Sequence, residues 1–118
     1  MSSVTIGHRA EEAAANYLLR LGHEILTRNW RTRWCEIDIV TTKGSILYFV
    51  EVKYRATVRF GGGLDYITPQ KLRHMRFAAD FWLASHSGVI HYTPVLAAVE
   101  VGGPAFEVTA WVDDIDIQ

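Results

Sequence analysis

The sequence has few of the residues that cross-link or anchor a chain. It contains one cysteine in 118 residues, which excludes a disulfide framework and a zinc site built from several cysteines, and fits a reducing cytosol. No apolar run approaches the ~20 residues that a membrane-spanning helix requires, and residues 1–9 lack the apolar segment of a signal peptide. We therefore expect a cytoplasmic protein with no membrane partner.

Lysine and arginine are absent from the C-terminal third of the chain. All 12 lie in residues 9–76, where 7 acidic residues leave a balance of +5, whereas residues 77–118 hold 6 acidic residues and a balance of −6. A clustered basic face attracts polyanions, so this pattern is compatible with a nucleic-acid partner. A solvated acidic C-terminal face explains the same pattern equally well, and charge alone leaves both interpretations open.

The apolar content is sufficient for one core: 49% of the residues are hydrophobic and 21% are charged. This length and composition predict a single domain over residues 1–118 that folds without a structural metal. Periodicity predicts a helix over 8–22, ended by Gly22, and strands over 24–30, 34–42 and 45–54. A second helix is predicted from an N-cap at Thr68 and Pro69 to about residue 88, followed by strands over about 89–101 and 105–112. The order α-β-β-β-α-β-β predicts an α/β fold with a central sheet.

The second and third predicted strands form a hairpin that carries charged residues. If Lys43 and Gly44 are the central turn residues, Asp38 lies opposite Phe49 and Glu36 lies opposite Glu51. This register places Asp38, Glu51 and Lys53 on one face, with Glu36 beside them. The other face is predicted to be apolar and to carry Ile37, Ile39, Val50 and Val52.

Two carboxylates and a lysine on so apolar a strand must neutralise one another or hold a metal ion. Mg²⁺ binds proteins through one or two carboxylates together with water and substrate phosphates. A lysine on the same face can position or deprotonate a water that attacks the phosphate. The pattern therefore favours metal-assisted phosphodiester hydrolysis, and its alternative is a structural network of ion pairs.

The spacing of Asp38 and Glu51-Val52-Lys53 resembles the PD-(D/E)xK motif of restriction-endonuclease-like nucleases. Over nearly the whole chain the sequence resembles the YraN-like family, small bacterial proteins related in fold to archaeal Holliday junction resolvases. The matching segments are Gly7-x-x-Ala10-Glu11-x-x-Ala14-x-x-Tyr17-Leu18, Asn29, Glu36-Ile37-Asp38, Phe49-Val50-Glu51-Val52-Lys53-Tyr54-Arg55 and Lys71. Two departures are Cys35, where the family usually has glycine, and Thr93-Pro94-Val95, which replaces an Arg-Phe-Asp stretch.

The resemblance implies a restriction-endonuclease-like fold, in which helices flank a central mixed sheet. It also implies a DNA endonuclease that depends on Mg²⁺ or Mn²⁺, with branched or single-stranded structures as candidate substrates and a homodimer as the working unit. Asp38, Glu51 and the Val52 carbonyl would bind the metal, and Lys53 would act on the nucleophilic water. The alternatives are a non-catalytic module that binds nucleic acid, DNA rather than RNA, and an interaction scaffold with the same fold.

The family pattern also places a helix glutamate in the site, at Glu11 rather than Glu12. Helical spacing agrees, because Glu11 lies three and seven residues before Ala14 and Leu18 and therefore borders the buried stripe. The alternative is an ordinary acidic residue in the first helical turn, where the helix dipole favours it. Glu36 is expected to be a partner of the site rather than a metal ligand.

Several cationic and aromatic residues are candidates for nucleic-acid contacts. Five cations could follow the phosphates: Arg55, Arg59, Lys71, Arg73 and Arg76. The last three equally fit the solvated side of an amphipathic helix. Trp30 and Trp34 flank Arg31-Thr32-Arg33, an arrangement suited to stacking unpaired bases, with core packing of at least one tryptophan as the alternative.

Overall fold

The computed structural model describes residues 1–58 and 65–115. Its helices are α1 (Ser3–Arg20) and α2 (Pro69–Ala84), with a 3₁₀ turn at Ser87–Val89, and its strands are β1 (Glu24–Arg31), β2 (Glu36–Lys43), β3 (Ile46–Arg55), β4 (Thr93–Gly102) and β5 (Glu107–Val112). This order confirms the predicted arrangement of elements. Arg59 and the predicted loop at Gly61-Gly62-Gly63 lie outside the described residues.

Side-chain caps set the beginnings of both helices. The Ser2 hydroxyl accepts a hydrogen bond from the Thr5 amide at 3.2 Å, so α1 begins five residues earlier than predicted. The α1 helix is followed by Gly22 with φ of 93°, as predicted, because glycine adopts this left-handed conformation at little cost. Thr68 caps α2 by accepting from the Lys71 amide at 3.1 Å, and Pro69 occupies the first turn, which confirms that predicted start.

The five strands form one mixed sheet in the order β1-β2-β3-β4-β5. Neighbouring strands are antiparallel except β3 and β4, which are parallel and are connected through α2. The α1 helix packs on one face, against a cluster that includes Ile39, Val50 and Val99, and α2 packs on the other, against Val40 and Phe49. Helices therefore cover both faces, an architecture consistent with a restriction-endonuclease-like fold.

The β2–β3 hairpin does not have the predicted register. Its central turn residues are Gly44 and Ser45, so Lys43 pairs with Ile46, and Phe49 lies opposite Val40 rather than Asp38. Gly44 has φ of 61°, which suits a two-residue hairpin turn with glycine in the first central position. The predicted pairs Asp38–Phe49 and Glu36–Glu51 are therefore wrong by two positions.

Within residues 1–58 and 65–115, neither helix is long and apolar enough to pass through a lipid bilayer.

Candidate active site

The candidate site lies where β2 and β3 stop pairing. Their paired residues extend from Lys43 and Ile46 to Ile39 and Val50, whereas β3 itself continues to Arg55. Beyond this point the Asp38 carboxylate accepts a hydrogen bond from the Val52 amide at 2.8 Å. A side chain thus satisfies a backbone donor that the neighbouring strand leaves free, and this bond fixes Asp38 beside β3.

The alternation of the β2 side chains between the two faces of the sheet is interrupted at the same place. Ile39 belongs to the core beside α1, as predicted, but Ile37 packs in the core beside α2, which contradicts the prediction that both share a face. Asp38 lines a cavity of about 260 Å³ beside α1, and Glu51 lines a second cavity of about 260 Å³ beside α2. Asp38 and Glu51 therefore reach the separation of the two strands from opposite sides of the sheet, which contradicts the prediction that they project from one face.

The electrostatics of Asp38 show that the two carboxylates interact. The pKa of Asp38 is raised from its ordinary value of 3.8 to about 7, first by burial and then by the negative charges of Glu51, Glu11 and Glu36, against the hydrogen bond from Val52. A carboxylate in this position is costly to ionise without a nearby cation. The site therefore has unbalanced negative charge at the position predicted to hold a metal ion.

Lys71 is the cation that the structure places closest to this charge. Its ammonium Nζ lies 2.8 Å from Glu51 Oε1. Burial lowers the pKa of Lys71, but the hydrogen bond and charge of Glu51, with the charge of Asp38, outweigh this effect and raise it overall. Lys71 was predicted to contact phosphate; the structure places it on a carboxylate of the candidate site.

Glu11, and not Glu12, lies in the same cavity as Asp38. Glu11 is half-buried, and burial raises the pKa of its carboxyl although Arg28, with Nε 3.6 Å away, lowers it. Glu12 is exposed and pairs with Arg28 at 2.9 Å. The choice between the two glutamates made from helical spacing therefore agrees with the geometry.

Lys53 follows Glu51 by two residues on β3, and its side chain is exposed. Residues two apart in a strand share a face. The carboxylate of Glu100, its neighbour on β4, is occupied by Arg55 and Thr109, and Glu51 is occupied by Lys71. Within the described part of the chain Lys53 makes no ion pair, which leaves its ammonium available for a water or a phosphate.

Tyr66 is a residue at the site that the sequence did not single out. Its hydroxyl is buried and has no hydrogen-bond partner among residues 1–58 and 65–115, and burial together with the charge of Glu51 raises its pKa. The ring lies 5.9 Å from Lys53 Nζ and 5.6 Å from Arg55 Cζ. Tyrosine in a loop gives no sequence signal of this placement, because only the fold brings it against β3.

Arg55 and Glu100 form an ion pair that the sequence also did not indicate. Glu100 is 2% exposed, and its carboxylate accepts from Arg55 Nε at 2.6 Å and from the Thr109 hydroxyl at 2.9 Å. Arg55 also donates to Asp65. Its guanidinium, predicted to contact phosphate, is thus held between two carboxylates. A glutamate inside the apolar run Ala97-Ala98-Val99-Glu100-Val101 was the available signal.

The remaining predicted residues lie at the edges of the site or away from it. Glu36 is exposed and pairs with Arg31. Arg73 and Arg76 are exposed on α2, and Arg76 lines a different cavity together with Asp80 and Asp114. Of the two departures from the family pattern, Thr93-Pro94-Val95 pairs with Ile46–Tyr48 at the other end of β3, whereas Cys35 lines the same cavity as Glu51.

The residues present fit a hard divalent cation. Asp38 and Glu51 supply two carboxylates, and burial together with the charge of Glu51 raises the pKa of Asp38. A cation at this position would offset that effect. Among residues 1–58 and 65–115 no group of three or more His, Cys, Asp or Glu side chains could hold a metal. Other ligands would therefore have to come from the Val52 carbonyl, water and substrate phosphate, as is usual for Mg²⁺.

Comparison with known proteins identifies the family of the chain. The sequence model of the uncharacterised protein family UPF0102 matches residues 10–110, which include Glu11, Asp38, Glu51 and Lys53. The chain belongs to this family. The match begins within α1 and ends within β5, so it includes β1 to β4 and α2 in full.

Curated members of UPF0102 from actinobacteria are similar over most of their length. A UPF0102 protein of Mycolicibacterium vanbaalenii is 44% identical over 87 residues, which cover 74% of this chain and 72% of the relative. A UPF0102 protein of Kineococcus radiotolerans is 39% identical over 104 residues and 85% of each chain. One from Frankia casuarinae is 36% identical over 102 residues, covering 84% and 86%.

Proposed function

We propose that the protein is a metal-dependent nuclease that hydrolyses phosphodiester bonds in DNA. The observation that carries this proposal is the meeting of Asp38 and Glu51 where β2 and β3 separate, with the pKa of Asp38 raised to about 7 by burial and by Glu51. Structural ion pairs normally place a cation beside each carboxylate. Asp38 instead accepts one backbone hydrogen bond and faces two further acidic residues.

Each residue of the site has a defined part in this proposal. Asp38 and Glu51 hold the cation, which when bound would neutralise charge on the phosphate and lower the pKa of a coordinated water. Lys53, exposed and without an ion pair among the described residues, orients the attacking water and the phosphate. Glu11 lines the same cavity as Asp38 and adds negative charge on the α1 side of the site. Lys71 forms an ion pair with Glu51 until a metal ion competes for the carboxylate or a phosphate competes for the ammonium.

A second candidate function is a nucleic-acid-binding module that requires no metal. The observation in its favour is the 2.8 Å ion pair between Lys71 and Glu51, in which the ammonium already neutralises one of the two carboxylates. Under this alternative Asp38, with its pKa of about 7, is only about half ionised at neutral pH, and the protein binds DNA without cleaving it.

A cleavage assay separates these two functions. Single-stranded, flapped and branched DNA would be incubated with the protein in Mg²⁺, in Mn²⁺ and in chelator. We expect metal-dependent cleavage that Glu51→Gln abolishes and that Glu24→Gln, an exposed carboxylate on β1, leaves intact. Binding without cleavage of any substrate in either metal would contradict the proposal and support the binding module.

A further inference from the structure

An aromatic cluster lies beside the candidate site, between α2 and the segment joining β1 to β2. Phe81 is at its centre, with its ring centroid 5.8 Å from Trp30, 6.0 Å from Trp34 and 6.1 Å from Phe77. Trp30 is half-buried and packs against the core beside α2. Trp34 is 66% exposed and Phe77 is 51% exposed. Two inner rings thus support two outer rings that face solvent.

The outer rings open directly onto the candidate active site. Trp34 and Phe77 line the same cavity as Glu51 and Lys71, and its volume is about 260 Å³. Pockets for drug-sized ligands begin at roughly 300 Å³, so this space suits one planar ring system. Single exposed apolar residues need no explanation, but adjacent exposed rings that wall a cavity indicate a binding surface.

The charges around the rings favour a polyanion as the occupant. Arg33 lies with its Cζ 5.4 Å from the centre of the Trp34 ring, and Arg73 precedes Phe77 by one helical turn. Among the described residues neither arginine makes an ion pair, whereas the carboxylates of the cavity, Glu36 and Glu51, are paired with Arg31 and Lys71. Exposed aromatic faces flanked by free cations are typical of sites for unpaired nucleic-acid strands.

We propose that Trp34 and Phe77 stack an unpaired base of a single-stranded segment and so deliver the adjoining phosphate to Glu51. The proposal rests on the proposed nuclease function and names its substrate class. Bases within a duplex have both faces covered by their neighbours, so the rings can act only on unpaired nucleotides. Arg33 and Arg73 contact the phosphates on either side of the stacked base.

Binding in the presence of chelator tests this site separately from cleavage. We expect a short oligothymidine to quench the tryptophan fluorescence, since Trp34 is the most exposed of the four tryptophans. Trp34→Ala and Phe77→Ala should each weaken binding by about 5- to 150-fold, the range that stacking of one base supplies. Trp34→Phe should retain most of the affinity, and Ile90→Ala, an 81% exposed apolar control, should leave it unchanged. These surface variants should keep the wild-type melting temperature.

Further measurements decide between occupants of the surface. A blunt duplex should bind only weakly, and its affinity should be the same for Trp34→Ala and the wild type. If Trp34→Ala loses affinity equally for duplex and single strand, the proposal is overturned. If Trp34→Ala weakens the binding of both oligouridine and oligothymidine, the results support a stacking site that accepts either sugar. If it weakens the binding of oligothymidine alone, they support a stacking site for DNA. Unchanged oligonucleotide affinity in Trp34→Ala, together with loss of a dimer in sedimentation, would overturn the proposal and assign the surface to a second copy. If single strands bind as expected but no DNA is cleaved, the nuclease proposal is refuted and the stacking proposal is not.

Discussion

Replacement of Lys53 by alanine is expected to reduce DNA cleavage by about 10²- to 10⁴-fold, the usual contribution of a group that acts on the proton of an attacking water. The structure indicates that this substitution should affect cleavage without affecting stability. Lys53 is exposed, and among the described residues it makes no ion pair, so its removal should change the free energy of unfolding by less than about 0.5 kcal/mol. Metal and DNA binding should be largely retained.

Lys43→Ala is the matched control for this variant. Lys43 is also an exposed lysine at the end of a strand, but it lies beside the hairpin turn at the other end of β2. Cleavage rates for both variants would be measured under single-turnover conditions, with melting temperature and DNA affinity measured in parallel. Full activity in Lys53→Ala, or an equal loss in Lys43→Ala, would contradict the role of Lys53.

Replacement of Asp38 by asparagine is expected to remove a large pH dependence from the stability of the metal-free protein. The pKa of Asp38 is raised from 3.8 to about 7, first by burial and then by Glu51. A carboxyl with a raised pKa in the folded state stabilises the fold fully below pH ~4 and loses this contribution as the pH rises to about 7. The rise corresponds to a contribution on the order of 4 kcal/mol. Asparagine retains an oxygen that can accept from the Val52 amide.

Denaturant unfolding of the wild type and Asp38→Asn between pH 4 and pH 8 measures this contribution. The difference in unfolding free energy between the two proteins should shift steadily in favour of the asparagine variant as the pH rises, and should level off about one pH unit above the pKa of Asp38, at about pH 8. Glu24→Gln, which removes an exposed carboxylate far from the site, should follow the wild type. A pH-independent difference would mean that Asp38 is not held in the environment described here.

The sequence predicted the order of elements better than the strand register and the placement of side chains. Thr68, Pro69 and Gly22 act through local backbone chemistry, so the signals for the start of α2 and the end of α1 could be read directly. The register of the hairpin could not, because Lys43-Gly44 and Gly44-Ser45 are both acceptable turns. The two registers differ by two residues, and a shift of two leaves every side chain on the same face of the sheet, so the apolar pattern does not choose between them.

The contacts that define the electrostatics of the site depend on tertiary structure. Lys71 is 20 residues from Glu51 in the sequence, and the connection through α2 brings the two together. Tyr66 and Glu100 approach β3 in the same way, from a loop and from the parallel strand. Period-two alternation also failed at Asp38, where β2 no longer pairs with β3 although it remains paired with β1.

A calorimetric titration of Mn²⁺ at pH 8 tests the central claim most directly, because it requires neither a substrate nor a cleavage assay. It would compare the wild type with Asp38→Asn and with Glu24→Gln as the matched loss of one exposed carboxylate. We predict binding to one site in the wild type and in Glu24→Gln, and loss of binding in Asp38→Asn. Absence of binding in the wild type, or equal affinity in Asp38→Asn, would show that Asp38 and Glu51 do not form a metal site.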